Sequence, residues 1–131
     1  MKKIALVGGA GFIGHNLAIY LKSNGYEPYI IDSLSVNNLY SIKESEFENK
    51  DLYKSILNKR LDLVSNLKIE TIIEDARNYN LLSKTLSKIE PDVIVQLAAV
   101  SHANKSNKDP HNTFDHTLRT LENSLDIARS F

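Results

Sequence analysis

Three glycines stand at positions where a chain could hold a phosphate. Gly8, Gly11 and Gly14 fall in G-x-x-G-x-x-G spacing within Ile4-Ala5-Leu6-Val7-Gly8-Gly9-Ala10-Gly11-Phe12-Ile13-Gly14. Gly8 lets the chain turn off the end of an apolar strand. Gly11 keeps side-chain bulk away from a pyrophosphate, and Gly14 lets the following helix pack close to the strand. The first N–H groups of that helix, with the positive end of its dipole, would face the phosphates. Asp32 follows Gly14 by 18 positions, at the end of a second apolar run, Tyr29-Ile30-Ile31-Asp32. A carboxylate there accepts hydrogen bonds from adenosine ribose hydroxyls and repels an added 2′-phosphate. No arginine follows closely to offset it, so the pair of motifs favours NAD over NADP.

Those residues need a strand–turn–helix frame, and the hydrophobic pattern supplies one. A helix is expected from about Phe12 to Asn24, with Ile13, Leu17, Ala18 and Leu21 toward a sheet and Asn24-Gly25 as its stop. Ser33 to Asn38 reads as a loop. Lys50 to about Asn66 reads as a helix with Leu52, Ile56, Leu57, Leu61 and Val64 on one stripe. The stretch from about 36 to 66 is longer than a minimal crossover and reads as an insertion. Lys68 to Glu74 is a third strand, and Asn80 to Ile89 a helix with Leu81, Leu82, Thr85, Leu86 and Ile89 inward, ended by Pro91. Asp92 to Leu97 is a fourth strand whose apolar run suits cover on both faces. A loop through Pro110 leads to a last helix, from about His111 to Arg129, carrying Phe114, Leu118, Leu121, Leu125 and Ala128. The order β-α-β-α-β-α-β-α predicts an α/β, Rossmann-like, doubly wound parallel sheet.

Length and composition narrow the function. The 131 residues suit one domain, read here as dinucleotide-binding over 1–131. Lys plus Arg and Asp plus Glu both number 16, so no net cationic character points to nucleic acid or acidic membranes. The chain has no cysteine, which rules out disulfides and thiolate metal sites and suits the cytoplasm. Met1-Lys2-Lys3 and the apolar run behind it are read as a buried first strand, not a signal peptide, and no stretch approaches a membrane span. No metal site is expected: His111 and His116 do not share a helical face and are read as polar positions on the last helix. His15 is placed near solvent or the phosphates, and His102 at the rim of the site. There is neither a G-K-[ST] P-loop nor a G-x-S-x-G elbow.

With these motifs in order, the chain resembles the N-terminal part of the extended short-chain dehydrogenase/reductase family, the NAD-dependent nucleotide-sugar epimerases and dehydratases. Gly8-Gly9-Ala10-Gly11-Phe12-Ile13-Gly14 is similar to that family's fingerprint, with Val7 where threonine is usual. Asp32-Ser33-Leu34-Ser35 resembles its second-strand ending. Asp75-Ala76-Arg77-Asn78 resembles its Gly-Asp-Ile-Arg-Asp stretch, which implies Asp75 at the adenine amino group and the Ala76 backbone beside it. Gln96-Leu97-Ala98-Ala99 resembles the His-Leu-Ala-Ala segment lining the nicotinamide-side ribose. The segment from Ala99 to Ser106 resembles that of the 4,6-dehydratases, departing at Val100, Asn104 and Lys105. The implied cofactor groove comprises Gly8, Gly11, Phe12, Ile13, Gly14, Asp32, Ser33, Asp75, Ala76, Leu97, Ala98, Ala99 and Ser101.

The family's last-helix Asn-x-x-Gly-Thr is replaced by Thr117, Thr120 and Leu121. Its catalytic Tyr-x-x-x-Lys pair has no counterpart: none of the six tyrosines has a lysine four positions on. No catalytic residue is therefore assigned. The resemblance implies the NAD-binding portion of such an enzyme, truncated after the fourth or fifth helix and not catalytic alone, with a nucleotide-sugar substrate for the whole enzyme. Two other readings are a non-catalytic dinucleotide-binding or sensor module, and a self-associating structural fragment. The last rests on Val93, Ile94 and Val95 lying on a bare sheet edge, which predicts a homo-oligomer or reduced stability of the isolated chain.

Overall fold

The computed structural model describes residues 1–36, 38–43 and 47–131. Asn37, in the expected loop, and the side chain of Lys105 lie outside the described residues. Four strands, β1 (Lys3–Val7), β2 (Glu27–Asp32), β3 (Glu70–Ile73) and β4 (Val93–Gln96), form one parallel sheet in the order β3-β2-β1-β4. Leu6 stands opposite Ile30 and Val95, and Val7 opposite Ile31 and Gln96. The chain leaves β1 for β2 on one side and reaches β4 on the other. That reversal opens a crevice at the carboxyl ends of β1 and β4, where α/β sheets of this kind take ligands.

Alternation along the strands divides the core in two. Ile4, Leu6 and Ile30 point to one face, against Ala18 of α1 (Phe12–Ser23) and Val64 of α3 (Lys50–Asn66). Ala5, Val7 and Ile31 point to the other, against Leu82, Leu86 and Ile89 of α4 (Tyr79–Ile89) and Ile127 of α7 (Thr120–Ser130). A period of two on the strands thus meets a period near 3.6 on the helices. The expected parallel α/β architecture is the one observed. Helix α3 lies between β2 and β3 and packs against α1, so its length serves as the second crossover.

Local signals set the boundaries. Asn24 donates its N–H to the Tyr20 and Leu21 carbonyls, and Gly25 follows at φ +81°, a conformation that favours glycine at a helix end. The Asn78 side chain caps α4 by accepting from Leu81 N at 3.1 Å. Glu90 ends that helix in the left-handed region, one residue before Pro91.

Several expected positions differ. Ile13 faces away from the sheet and is 67% exposed: Gly14 must sit against the turn, which rotates its neighbour about 100° outward. Only Leu57 and Val64 of the α3 stripe are buried, with Leu61 packed beside them. Leu52 and Ile56, in its first turns, are exposed. Leu81 of α4 is also exposed. Strand β4 is only partly covered, with Val93 44% exposed, because it is an edge strand. The expected loop before Pro110 holds a short helix, α5 (Ala103–Lys108). A further short helix, α2 (Leu39–Lys43), precedes α3.

The last helix is broken into three: α6 (Pro110–Phe114), a wide π turn at Asp115–Arg119, and α7. Of its large apolar residues, Ile127 alone serves the core. Phe114, Leu118, Leu121 and Leu125 are exposed, while Thr120, Asn123, Ser124 and Ile127 are buried.

Candidate functional site

One groove of about 510 Å³ opens at the carboxyl ends of the strands. All thirteen residues expected at the cofactor line it: the glycine turn, Phe12 and Ile13, Asp32 and Ser33, Asp75 and Ala76, and Leu97, Ala98, Ala99 and Ser101. Four separate stretches reach it because each leaves the carboxyl end of a neighbouring strand.

The glycine turn is tightly built. Gly8 sits at φ +81°, and a Cβ on it would enter the Ala98 backbone. Its N–H donates to Ile31 O at 2.7 Å. A Cβ on Gly14 would collide with the Gly9 backbone, so Gly14 lets the helix start close against the turn itself. Gly11 is different. A Cβ there would meet only Gly8 O at 3.8 Å, which leaves its outer side open to the groove. That open cradle at a helix N-terminus has the shape and polarity for a pyrophosphate.

Asp32 is anchored from both sides. Ala10 N–H donates to Oδ2 at 3.0 Å and Leu34 N–H to Oδ1 at 2.8 Å. Burial pushes its carboxyl above the usual range, opposed by those two N–H groups and by Arg60. Each oxygen keeps acceptor capacity for a ribose hydroxyl. Asp75 is held by its neighbour: Arg77 donates to it from the backbone N, from Nε and from Nη2, the last at 2.6 Å. The Arg77 guanidinium keeps the Asp75 carboxyl below its ordinary value. Arg77 also bonds Asp115 at 2.9 Å, which joins this wall of the groove to the π turn.

Three further residues bear on the site, Arg60 and His116 by lining the groove and Asn38 through the glycine turn. Arg60, on α3, lines the groove beside Asp32 and donates to Ala10 O at 3.4 Å. Buried Asn38 donates to the same carbonyl at 3.0 Å. His116 lines the groove from the π turn and lies near enough to favour the Asp75 carboxylate. His116, expected as a polar position on the last helix, sits half-buried within the π turn and lines the groove from there. His15 is tied to Gly11 O at 2.8 Å through Nδ1 and packs edge-on against Phe12. His102 is exposed and does not line the groove, although Ser101 does.

The sequence pattern of the NAD dependent epimerase/dehydratase family matches residues 4–131. The chain belongs to that family. It is 34% identical to Protein CapI of Staphylococcus aureus over 129 residues, covering 98% of this chain and 34% of that protein. It is 29% identical over 117 residues to the bifunctional UDP-glucose 4-epimerase and UDP-xylose 4-epimerase 1 of Pisum sativum, covering 89% and 30%. Among solved structures, the UDP-Glc/GlcNAc 4-epimerase of Campylobacter jejuni superposes with a TM-score of 0.73 at 21% identity, covering 99% of this chain and 34% of that one. The UDP-glucose-4-epimerase of Stenotrophomonas maltophila, with NAD and formylated UDP-arabinopyranose bound, superposes with a TM-score of 0.74 at 19% identity, covering 98% and 34%. These likenesses establish the fold, and the chain spans about one third of the length of the relatives it matches.

Departures from the epimerase/dehydratase pattern have local replacements. Gln96, where the family has histidine, donates to Thr120 Oγ1 at 3.0 Å and accepts from Ser124 at 2.6 Å. Thr117, where the family has asparagine, accepts from Val100 N at 3.1 Å and so holds the segment leaving β4. The Thr120 hydroxyl lies 2.6 Å from His116 O and 3.1 Å from Ala98 O, linking the π turn to the groove wall. The described residues hold no His/Cys/Asp/Glu group suited to a metal, and no helix among them is long and apolar enough to cross a membrane.

Proposed function

We propose that this chain holds NAD for a nucleotide-sugar epimerase or dehydratase. The observation that carries the reading is the convergence of the glycine turn, Asp32, Asp75 and Ala98-Ala99 on one groove. Gly11 and the first N–H groups of α1 hold the pyrophosphate. Asp32 takes the adenosine ribose hydroxyls. Ala76 and Asp75 border the adenine, and Leu97, Ala98, Ala99 and Ser101 line the nicotinamide end. NAD, when bound, supplies a place for a hydride and gives it back. The chain's own part is to bind the dinucleotide and fix its orientation. Among the described residues, those lining the groove include no tyrosine to take a sugar proton. On this reading the chain alone does not turn over substrate.

Calorimetric titration of the folded chain with NAD tests the claim, with saturable one-to-one binding as the expected result. Absence of binding by folded protein overturns it. Reading the gene beyond Phe131 tests the enzymatic part: a downstream Tyr-x-x-x-Lys supports it, and a native stop favours a non-catalytic sensor module. The reading also carries cytoplasmic location, which the cysteine-free composition suits, and self-association, through the exposed Leu118, Leu121 and Leu125 stripe and the β4 edge. Light scattering showing a monodisperse monomer would remove the self-association claim.

A further inference from the structure

An acidic residue at the end of β2 ordinarily closes a dinucleotide site to NADP, because a 2′-phosphate would meet the carboxylate. Here the fold brings a cation to the same place from a distant part of the chain. Val64 of α3 is buried in the core on the α1 face, with Leu61 packed against it. That packing turns Arg60, one position before Leu61, toward the groove. Arg60 lines the groove together with Asp32, Ser33 and Val36.

The guanidinium lies close enough to Asp32 to feel its charge, and its hydrogen bonding is sparse. Among the described residues its hydrogen bond runs to Ala10 O at 3.4 Å, long for an N–H···O bond. That carbonyl already accepts from Asn38 at the shorter distance of 3.0 Å. A guanidinium carries five N–H donors in a planar fork suited to phosphate oxygens, so most of its capacity is open to a ligand. Asp32, by contrast, spends one lone pair of each oxygen on a backbone N–H. The adenosine end thus presents a carboxylate for a ribose hydroxyl and, beside it, a cation with donors to spare.

We propose that Arg60 is a specificity-determining residue that lets the groove accept a 2′-phosphorylated adenosine, NADP, alongside NAD. The proposal rests on the dinucleotide reading above. Asp32 serves the 3′-hydroxyl and, in NAD, the 2′-hydroxyl, while Arg60 forms charge-assisted bonds to the 2′-phosphate in NADP.

The test is calorimetric titration of the wild-type chain, Arg60→Ala and Arg60→Lys with NAD and with NADP. The wild type is expected to bind NADP within about tenfold of NAD, a difference of about 1.4 kcal/mol. Arg60→Ala should weaken NADP about tenfold or more while changing NAD less than about threefold. Arg60→Lys should fall between, since it keeps the charge and loses the fork. Added salt should weaken NADP more than NAD in the wild type and equally in Arg60→Ala. If both cofactors weaken together in Arg60→Ala, Arg60 only braces the Ala10 carbonyl and the proposal fails. It also fails if NAD binds and the NADP-to-NAD ratio is the same in all three proteins. Folded wild type that binds neither cofactor overturns the dinucleotide reading and this proposal with it.

Discussion

Helices α4 and α7 cover the same face of the sheet and are held there by different forces. Helix α4 buries Leu82, Leu86 and Ile89 against Ala5, Val7 and Ile31. Helix α7 adds one large apolar residue to that core, Ile127, and otherwise presents Thr120, Asn123 and Ser124. Those polar groups are partnered. Asn123 donates to Ala76 O at 2.9 Å and Arg77 O at 3.0 Å, and Ser124 and Thr120 both bond Gln96. Helix α4 is thus placed by apolar burial, which is strong and tolerant of small displacements. Helix α7 is placed by directional bonds to the backbone that lines the groove. One helix stabilises the domain, and the other reads the position of the site walls.

Substitutions can break this contrast. The largest effect is expected for Leu82→Ala, which empties a fully buried position in the core. It should cost about 2–5 kcal/mol in urea unfolding, with NAD affinity of the remaining folded protein little changed. Asn123→Ala removes the donor to two carbonyls beside the groove and should cost about 1–3 kcal/mol. Unlike the first, it should also weaken NAD in a titration, because Ala76 loses its anchor. If the two variants behave alike toward NAD, the distinction between the helices collapses.

Arg77→Ala should cost less, about 1 kcal/mol or under, since the pair it forms with Asp75 is partly exposed. Its signature lies in pH. The Asp75 carboxyl is depressed in the folded state, so it binds its proton less readily there than when unfolded. The stability this confers is complete above the unfolded value, near 3.8, and is lost as pH falls through the lower folded one. Unfolding curves between neutral and acid pH should show that loss in the wild type and a flatter profile in Arg77→Ala. The smallest effect on stability belongs to Leu125→Glu, at a position 63% exposed, within about 0.5 kcal/mol. It should reduce self-association in light scattering, and a large loss of stability would mean that α7 is seated by its outer face instead.

The same contrast explains what the sequence disclosed. The glycine turn, Asp32 and the strand-end residues could be read because backbone turn chemistry is local and phosphate recognition needs few side chains. All of them meet in one groove. Helix α4 was readable as well, because its periodicity and its burial agree at Leu82, Leu86 and Ile89. Arg60, Asn38 and His116 were not. Tertiary packing brings Arg60 and His116 to the groove, the one from α3 and the other from the π turn, and brings Asn38 to the Ala10 carbonyl of the glycine turn. The exposed Leu118, Leu121 and Leu125 were opaque for the opposite reason. Periodicity shows that an apolar stripe exists but not what it faces. Ile13 shows the limit at the smallest scale, where close packing of one glycine turned its neighbour outward.

The wide turn at Asp115–Arg119 has a rotational meaning. Each residue of an α-helix advances the surface by about 100°. An extra residue in one turn therefore sets the helical surfaces before and after it out of phase. At its start, Asp115 and His116 answer to Arg77 and the groove. Behind it, Thr120, Asn123 and Ser124 answer to the ends of β3 and β4. A regular helix could satisfy one of these sets and would swing the other away. Removing one residue between Asp115 and Arg119 would leave a smoother helix whose two halves no longer agree on where the groove is.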